Sequence, residues 1–433
     1  MSEPVAQNRL VSLDVFRGMT IAAMVLVNNP GSWAHIYKPL EHAEWNGLTP
    51  TDFIFPFFLF IVGISIPIAL GKRVESGVTG GVYFKIVSRA FMIYALGASI
   101  SVLPFFDFSK TEVPDPYKMA IWITLTASLF FLLLRNFKVA AILALAAVAA
   151  IATFYFLGYP IMPYNFGMLR IAGVLQRISV CYLVVSIIFL HTNWKQQLGI
   201  TAALLLGYWL VMTTIPVPGC EITTVDDKAC NLAAYLDRLI LGENHIWRAG
   251  KVYDPEGILS TIPAIATTIS GVLTGTWLKT KRDDLDKVSG LFFFGVVCVA
   301  VGWVWNIYFP INKSLWTSSY VVMTTGLALC TLAFCYWLID IKGYQKWSKP
   351  FVIFGMNALP LFVFSGIMGR MIGAYKVTGA DGQPAAIQNW VFDTIFLPIA
   401  QPIDASVLYA ISFILLWLLL MWLLYRRKIY IKV

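Results

Sequence analysis

The sequence predicts an all-α, polytopic membrane protein: a helix bundle of about 12 transmembrane helices (range about 10–12) with both termini cytoplasmic. Composition is the first reason. The 433 residues are 58% apolar and 13% charged, with a mean hydropathy of +0.73, whereas an ordinary soluble chain is roughly 25% charged. The second is run length, because the apolar residues fall in stretches near the ~20 residues needed to cross ~30 Å of hydrocarbon. The third is charge placement: the basic residues behind the net charge of +9 collect in every second loop, as cytoplasmic loops do.

The spans are expected at 11–29, 51–71, 83–103, 117–135, 138–157, 171–191, 197–215, 257–278, 289–309, 318–339, 351–372 and 405–425. Lys72 and Arg73, Arg135 and Lys138, Lys195, the run KTKRDDLDK from Lys279, Lys342 to Lys349 and the tail YRRKIYIKV mark the cytoplasmic side. The opposite connections are less basic, and 216–256 is the longest outer loop. Segment 1–10 reads as a short cytoplasmic lead, since no basic cluster and no small-residue cleavage site marks a removable signal. No soluble domain or sustained repeat interrupts the pattern, so 1–433 reads as a single integral-membrane domain. The basic balance reflects topology and attraction to anionic lipid or a phosphorylated cytoplasmic ligand; nucleic acid would want a contiguous soluble basic face.

The polar run EHAEWNGLTPTD feeds directly into the apolar run FIFPFFLFIVGISIPIAL, which sets His42, Asn46 and Asp52 at the mouth of the second span. Hydrocarbon tolerates such groups only where protein or a water-filled cavity receives them. Thr49 with Pro50 and Asp52 has the spacing of a helix start, Thr at the cap, Pro at the first position and an acid three residues on. The same Asp52 is placed to take an imidazole N–H from the preceding loop and so set the tautomer of His42. Pro56 is expected to bend the helix. Asn28 closes the first span, Trp45 offers a flat apolar face, and Asn46 with Gly47 suits a tight turn.

Other polar groups interrupt apolar surroundings. Asp14 and Arg17 lie three apart on one helical face; Arg170, Gln176 and Arg177 flank or enter another span; Asp254 and Glu256 of YDPEG open the 257–278 helix. Each can be helix-to-helix glue, and together they imply a polar interior. Cys181, Cys298, Cys330 and Cys335 read as small buried hydrophobes. Cys220 and Cys230 share the longest outer loop, where a disulfide and two free thiols are both open. Neither pattern has metal spacing, and no metal is expected.

The segments RLVSLDVFRG, EHAEWNGLTPTDFIFPFFLFIVG, RIAGVLQRI, PVPGC, AAYLDRLILGENH, YDPEGILSTI, INKSLWTSSYV and GMNALP resemble, in this order, the heparan-α-glucosaminide N-acetyltransferase family. The resemblance implies an enzyme that moves an acetyl group from cytoplasmic acetyl-CoA to the amino group of a glucosamine-type sugar across the membrane. It implies that His42 is the active-site histidine and Asp52 the acid that assists it. Asn28 or Asn46 would donate to the developing oxyanion, and whether His42 acts as base or as nucleophile is open. For the CoA head the candidates are Arg17, Arg89, Lys72 and Arg73 at the inner face, with Gln176 and Arg177. For the sugar they are Trp45, Asp237, His245, Tyr253, Asp254 and Glu256. The chain looks like a bacterial version without the large lumenal N-terminal domain, which points to an inner membrane and to a small glucosamine-containing sugar or cell-wall fragment. Lipid is the other expected partner, and a homodimer is compatible with the pattern. The competing reading is a transporter of amino or acylated sugars that uses the same polar interior.

Overall fold

The structure, a computed structural model, describes residues 10–75, 77–379 and 382–431; most of the 1–10 lead therefore lies outside the described residues. In chain order the helices are α1 (Val11–Asn28), α2 (Ile54–Glu75), α3 (Gly80–Val102), α4 (Asp115–Leu133), α5 (Phe137–Phe156), α6 (Val174–His191), α7 (Trp194–Thr214), α8 (Leu232–Leu241), α9 (Thr261–Leu278), α10 (Asp284–Trp305), α11 (Ser318–Cys335), α12 (Lys349–Met356), α13 (Ala358–Ala374), α14 (Ile387–Val391) and α15 (Pro402–Arg426). A short antiparallel pair, β1 (Lys376–Thr378) and β2 (Pro384–Ala386), is the sheet among the described residues. All twelve expected spans are found as helix. Among the described residues ten helices are long and apolar enough to cross a membrane, and Lys346–Met356 with Ala358–Ala374 adds an eleventh if that broken pair is one span. The 257–278 segment forms α9 but falls outside that set. Threonines dilute its hydropathy, and Thr267, Thr268 and Thr274 spend their hydroxyls on the carbonyls four residues back, which hides the polarity inside the helix.

The described chain packs as two compact units. Of the described residues, the first comprises those within 10–21, 41–95 and 170–356. Its centre is the pair α2 and α9. Gly63 meets Thr268 and Gly271, and Gly71 meets Lys279, so the two helices run parallel with their starts at the same end. A methyl at Gly63 or Gly271 would drive into the backbone of the facing helix, and the bare α-carbons are what permit this approach. Phe16, Phe60, Ile64, Leu291 and Leu332 fill a core beside that pair. The start of α1 is held by Asp340, whose carboxylate accepts the N–H groups of Val11 and Ser12 at 3.2 and 3.0 Å, satisfying two orphan donors of the first turn.

Of the described residues, the second unit comprises those within 22–40, 96–169 and 357–431. Asn357 bonds the C-terminal tail through both ends of its amide, giving Nδ2–H to Ile429 O at 3.1 Å and taking Ile431 N–H at 2.9 Å. Lys118 is buried and saturated. It donates to Phe108 O at 2.8 Å and Thr111 O at 3.0 Å, and pairs with Asp115 at 2.7 Å.

Candidate active site

The candidate site is built in the first unit on the start of α2. A 3₁₀ turn, Pro50–Phe53, precedes the helix and buries Asp52. Its carboxylate accepts the Thr49 N–H at 3.0 Å, as an acid at that position of a helix start should, and the Ala43 N–H at 3.2 Å. Both reach Oδ2, with the Thr49 hydroxyl at 3.0 Å. Oδ1 lies 2.7 Å from His42 Nδ1. An ionised carboxylate only accepts, so Nδ1 carries the proton and Nε2 keeps the ring's lone pair. His42 is half open, its side chain 52% exposed against 1% for Asp52. A half-exposed imidazole backed by a buried anion can take a proton from a bound amine or attack an acyl group.

Pro56 falls in the first turn of α2, where a missing N–H breaks little. In an unbroken helix the N–H of residue 56 would go to the carbonyl of Asp52; that carbonyl instead accepts the Tyr320 hydroxyl at 2.7 Å.

The His42 loop is fastened from two sides. Gly47 N–H donates to Ile311 O at 2.8 Å, and Gly47 has φ +118, a conformation that glycine alone adopts without penalty. Asn46 takes Asn312 Nδ2–H at 3.0 Å and gives its own Nδ2–H to Asp226 at 2.6 Å. Trp45 Nε1–H donates to Val225 O at 2.9 Å, and its ring meets Tyr253 edge-on at 4.9 Å. Asp226 and Val225 lie inside the loop closed by a Cys220–Cys230 disulfide. Asn46 is thus a fastener of the loop, tied at both ends of its amide.

The YDPEG carboxylates turn inward. Asp254 takes Arg170 Nε–H at 2.8 Å and Nη2–H at 2.5 Å, and Glu256 pairs with the same Nη2. These two acids hold the Arg170 guanidinium more firmly protonated than usual, against its burial. Asp237 is buried and accepts the Ile258 N–H at 2.9 Å; burial pushes its carboxyl up to about 6. It braces the turn from beneath. His245 ends a 3₁₀ turn, half-buried, with its carbonyl taking the Ile171 N–H at 3.1 Å.

The residues proposed for the CoA head separate along the unit. Arg177 is buried at the start of α6, donates to Gly257 O at 3.1 Å and to Ser260, and lies over the Trp316 ring at 5.1 Å. Trp316 packs on Tyr320 at 5.2 Å, so Arg177 and the neighbouring buried Gln176 are at the Asp52 end. Lys72 and Arg73 end α2, roughly 30 Å further along at ~1.5 Å per residue. Arg17 lies between them, with Nη1 3.3 Å from Asp14 and Nη2 3.4 Å from Ser65 Oγ. Arg89 is exposed and stands 5.1 Å over the Tyr182 ring. Asn28 is the exposed last residue of α1 and belongs to the second unit.

One residue of the site was not singled out from the sequence. Lys313 places Nζ 2.9 Å from His42 Nδ1, 3.1 Å from Nε2 and 3.6 Å from Asp52 Oδ1. Burial pushes its ammonium down from the usual lysine range, opposed by the carboxylates of Asp52 and Glu256. The signal that could have found it is its place in INKSLWTSSYV, a lysine in a short connection between two apolar spans.

Comparison with known proteins gives these residues a context, and the resemblance read from the motifs is borne out. The family model described as heparan-alpha-glucosaminide N-acetyltransferase, catalytic, matches residues 9–166, a stretch that holds His42 and Asp52. Proteins named heparan-alpha-glucosaminide N-acetyltransferase from Mus musculus and Homo sapiens are 26% and 27% identical over 98% of this chain. The chain spans 61% and 60% of their lengths.

Proposed function

We propose that this chain is a transmembrane N-acetyltransferase that moves an acetyl group from acetyl-CoA to the amino group of a glucosamine-type sugar. The observation that carries the reading is the His42–Asp52 pair, a buried carboxylate fixing the tautomer of a half-exposed imidazole at the mouth of an apolar helix. The similarity to the two named acetyltransferases supplies the reaction class.

In this mechanism the sugar enters with its amine neutral, and nitrogen attacks the thioester carbonyl carbon. The C–N bond forms as the carbonyl π pair moves to oxygen. His42 Nε2 takes the amine proton while Asp52 stabilises the imidazolium, a contribution typically of about 10²–10⁴-fold. Collapse breaks the C–S bond, and the CoA thiolate leaves with that proton. Atoms balance as amide plus free CoA.

The reading includes sidedness. Both termini and the basic ends of the spans face the cytoplasm of a bacterial inner membrane, the CoA head docks there near Arg17, Lys72, Arg73 and Arg89, and the pantetheine arm reaches along the spans towards His42. Sealed vesicles of known orientation test it. With glucosamine on the outer side and acetyl-CoA on the cytoplasmic side, N-acetylglucosamine should form outside while intact acetyl-CoA stays inside. Activity that needs both substrates on one side overturns the threaded donor. Movement of intact labelled sugar with no release of CoA would make the protein a transporter.

A further inference from the structure

Buried lysines are ordinarily spent on fixed acceptors, and Lys118 in the second unit shows how: two carbonyls and a carboxylate surround its ammonium. Lys313 is different. Its side chain is only 21% exposed, yet among the described residues its closest polar neighbours are the two ring nitrogens of His42, with Asp52 further off at 3.6 Å. A point so close to both nitrogens cannot lie along either lone pair, because those diverge in the ring plane. The ammonium therefore sits off that plane, against the edge that carries Nδ1 and Nε2. This is a charge set beside the reacting nitrogen, with N–H donors free to turn towards a third group.

The placement is built. Asn312 is buried; its N–H donates to Thr317 Oγ1 at 3.0 Å, its Oδ1 takes the Leu315 N–H at 2.9 Å and its Nδ2–H reaches Asn46. The Ile311 N–H donates to Asn306 Oδ1 at 2.7 Å, and the Ile311 carbonyl holds Gly47. The connection that carries Lys313 is thus locked to the connection that carries His42 through the two residues that precede the lysine. Asp52, in an ion pair at 3.6 Å, offsets part of the cost of holding a cation here, and the half-buried ammonium is placed to stabilise a further anion that forms beside it. The transfer forms one, on the acetyl oxygen.

We propose that Lys313 is a catalytic residue of the transfer, its ammonium holding the oxyanion that develops on the acetyl carbonyl while His42 Nε2 takes the amine proton. This rests on the transferase reading of the His42 site. Lys313 gives up no proton in the step: the charge on oxygen appears as the C–N bond forms, is held by the ammonium, and returns to the carbonyl as the C–S bond breaks. Removing one preorganised donor of this kind typically lowers kcat by about 10²–10³-fold.

The test uses the full-length purified protein, wild type and variants, with acetyl-CoA and glucosamine. Lys313→Met should lower kcat by about 10²–10³-fold, with equilibrium binding of acetyl-CoA, KM for glucosamine and the unfolding midpoint close to wild type. Lys313→Arg, which keeps the charge, should turn over faster than Lys313→Met. A residue that merely braced the loop would move KM and the midpoint and would not distinguish Arg from Met. Should Lys313→Met fail to fold, Lys313→Gln carries the same expectations with a hydrogen-bonding head and no charge. An active wild type with an equally active Met or Gln variant overturns this inference alone. A wild type that releases no CoA overturns the transferase reading, and this inference with it.

Discussion

The Tyr320 hydroxyl bonds the main-chain carbonyl of Asp52 at 2.7 Å, the carbonyl whose α-helical donor position is occupied by a proline. Pro56, four residues on, lacks the N–H that would close the first turn of α2. Tyr320 is itself buried on α11, so the hydrogen bond ties the backbone of Asp52 to a second helix.

Tyr320→Phe should therefore destabilise the protein by about 1 kcal/mol, the usual worth of such a bond. In a Pro56→Ala background the same change should cost less, because an N–H at position 56 can take the Asp52 carbonyl. A double-mutant cycle on thermal or denaturant unfolding in detergent measures the coupling; two strictly additive costs would reject this pairing.

His42→Ala should abolish acetyl transfer with little loss of folded protein, since the side chain is half exposed. Asp52→Asn should keep the cap, because an amide oxygen still accepts the Thr49 N–H, yet lower the rate by about 10²-fold or more. The replacing amide can donate to Nδ1 and so push the imidazole proton onto Nε2, the wrong nitrogen. Turnover and unfolding midpoint are read together. Equal losses in both would show Asp52 to be a capping residue only.

Stability should fall as pH rises between about 4 and 6. The Asp237 carboxyl is held at about 6 in the folded protein against 3.8 as a free side chain, so the folded state binds the proton more tightly. The stability this confers is present below 3.8 and lost as pH rises through the folded value, by at most about 3 kcal/mol. Asp237→Asn should flatten that part of the profile. A midpoint in the wild type that rises steadily across this window would contradict it.

Cys220 and Cys230 should react with a membrane-impermeant thiol reagent only after reduction, and from the outer side. Reduction should also lower turnover, because the closed loop holds Trp45 and Asn46 through Val225 and Asp226. Labelling without reductant rejects the bridge; labelling from the cytoplasmic side alone overturns the topology.

Local features of the site were legible along the chain. Asp52 sits three residues after Thr49, and helix-start chemistry alone directs its carboxylate back towards the preceding loop, ten residues from His42. Asp237 and Asp254 illustrate the opposite case. Acids in an outer loop beside tyrosine and tryptophan looked suited to contact a sugar; the structure adds that both are buried, Asp237 on the Ile258 N–H and Asp254 on Arg170, partners that no local pattern names.

The membrane class, the helical segments and the His42–Asp52 pairing were determined by the sequence itself, because span length, charge alternation and helix capping act over at most about 20 residues. Tertiary structure alone decided that Lys313, 271 positions from His42, lies against its ring, and that Arg177 lies at the Asp52 end of α2 while Lys72 and Arg73 lie at the other. Both depend on which helices pack together and in which direction. For Lys313 that was settled by the bonds of Ile311 and Asn312 to Gly47 and Asn46, and for the direction of α2 against α9 by their close, parallel approach at Gly63 and Gly271, contacts between segments more than two hundred residues apart that no local pattern encodes.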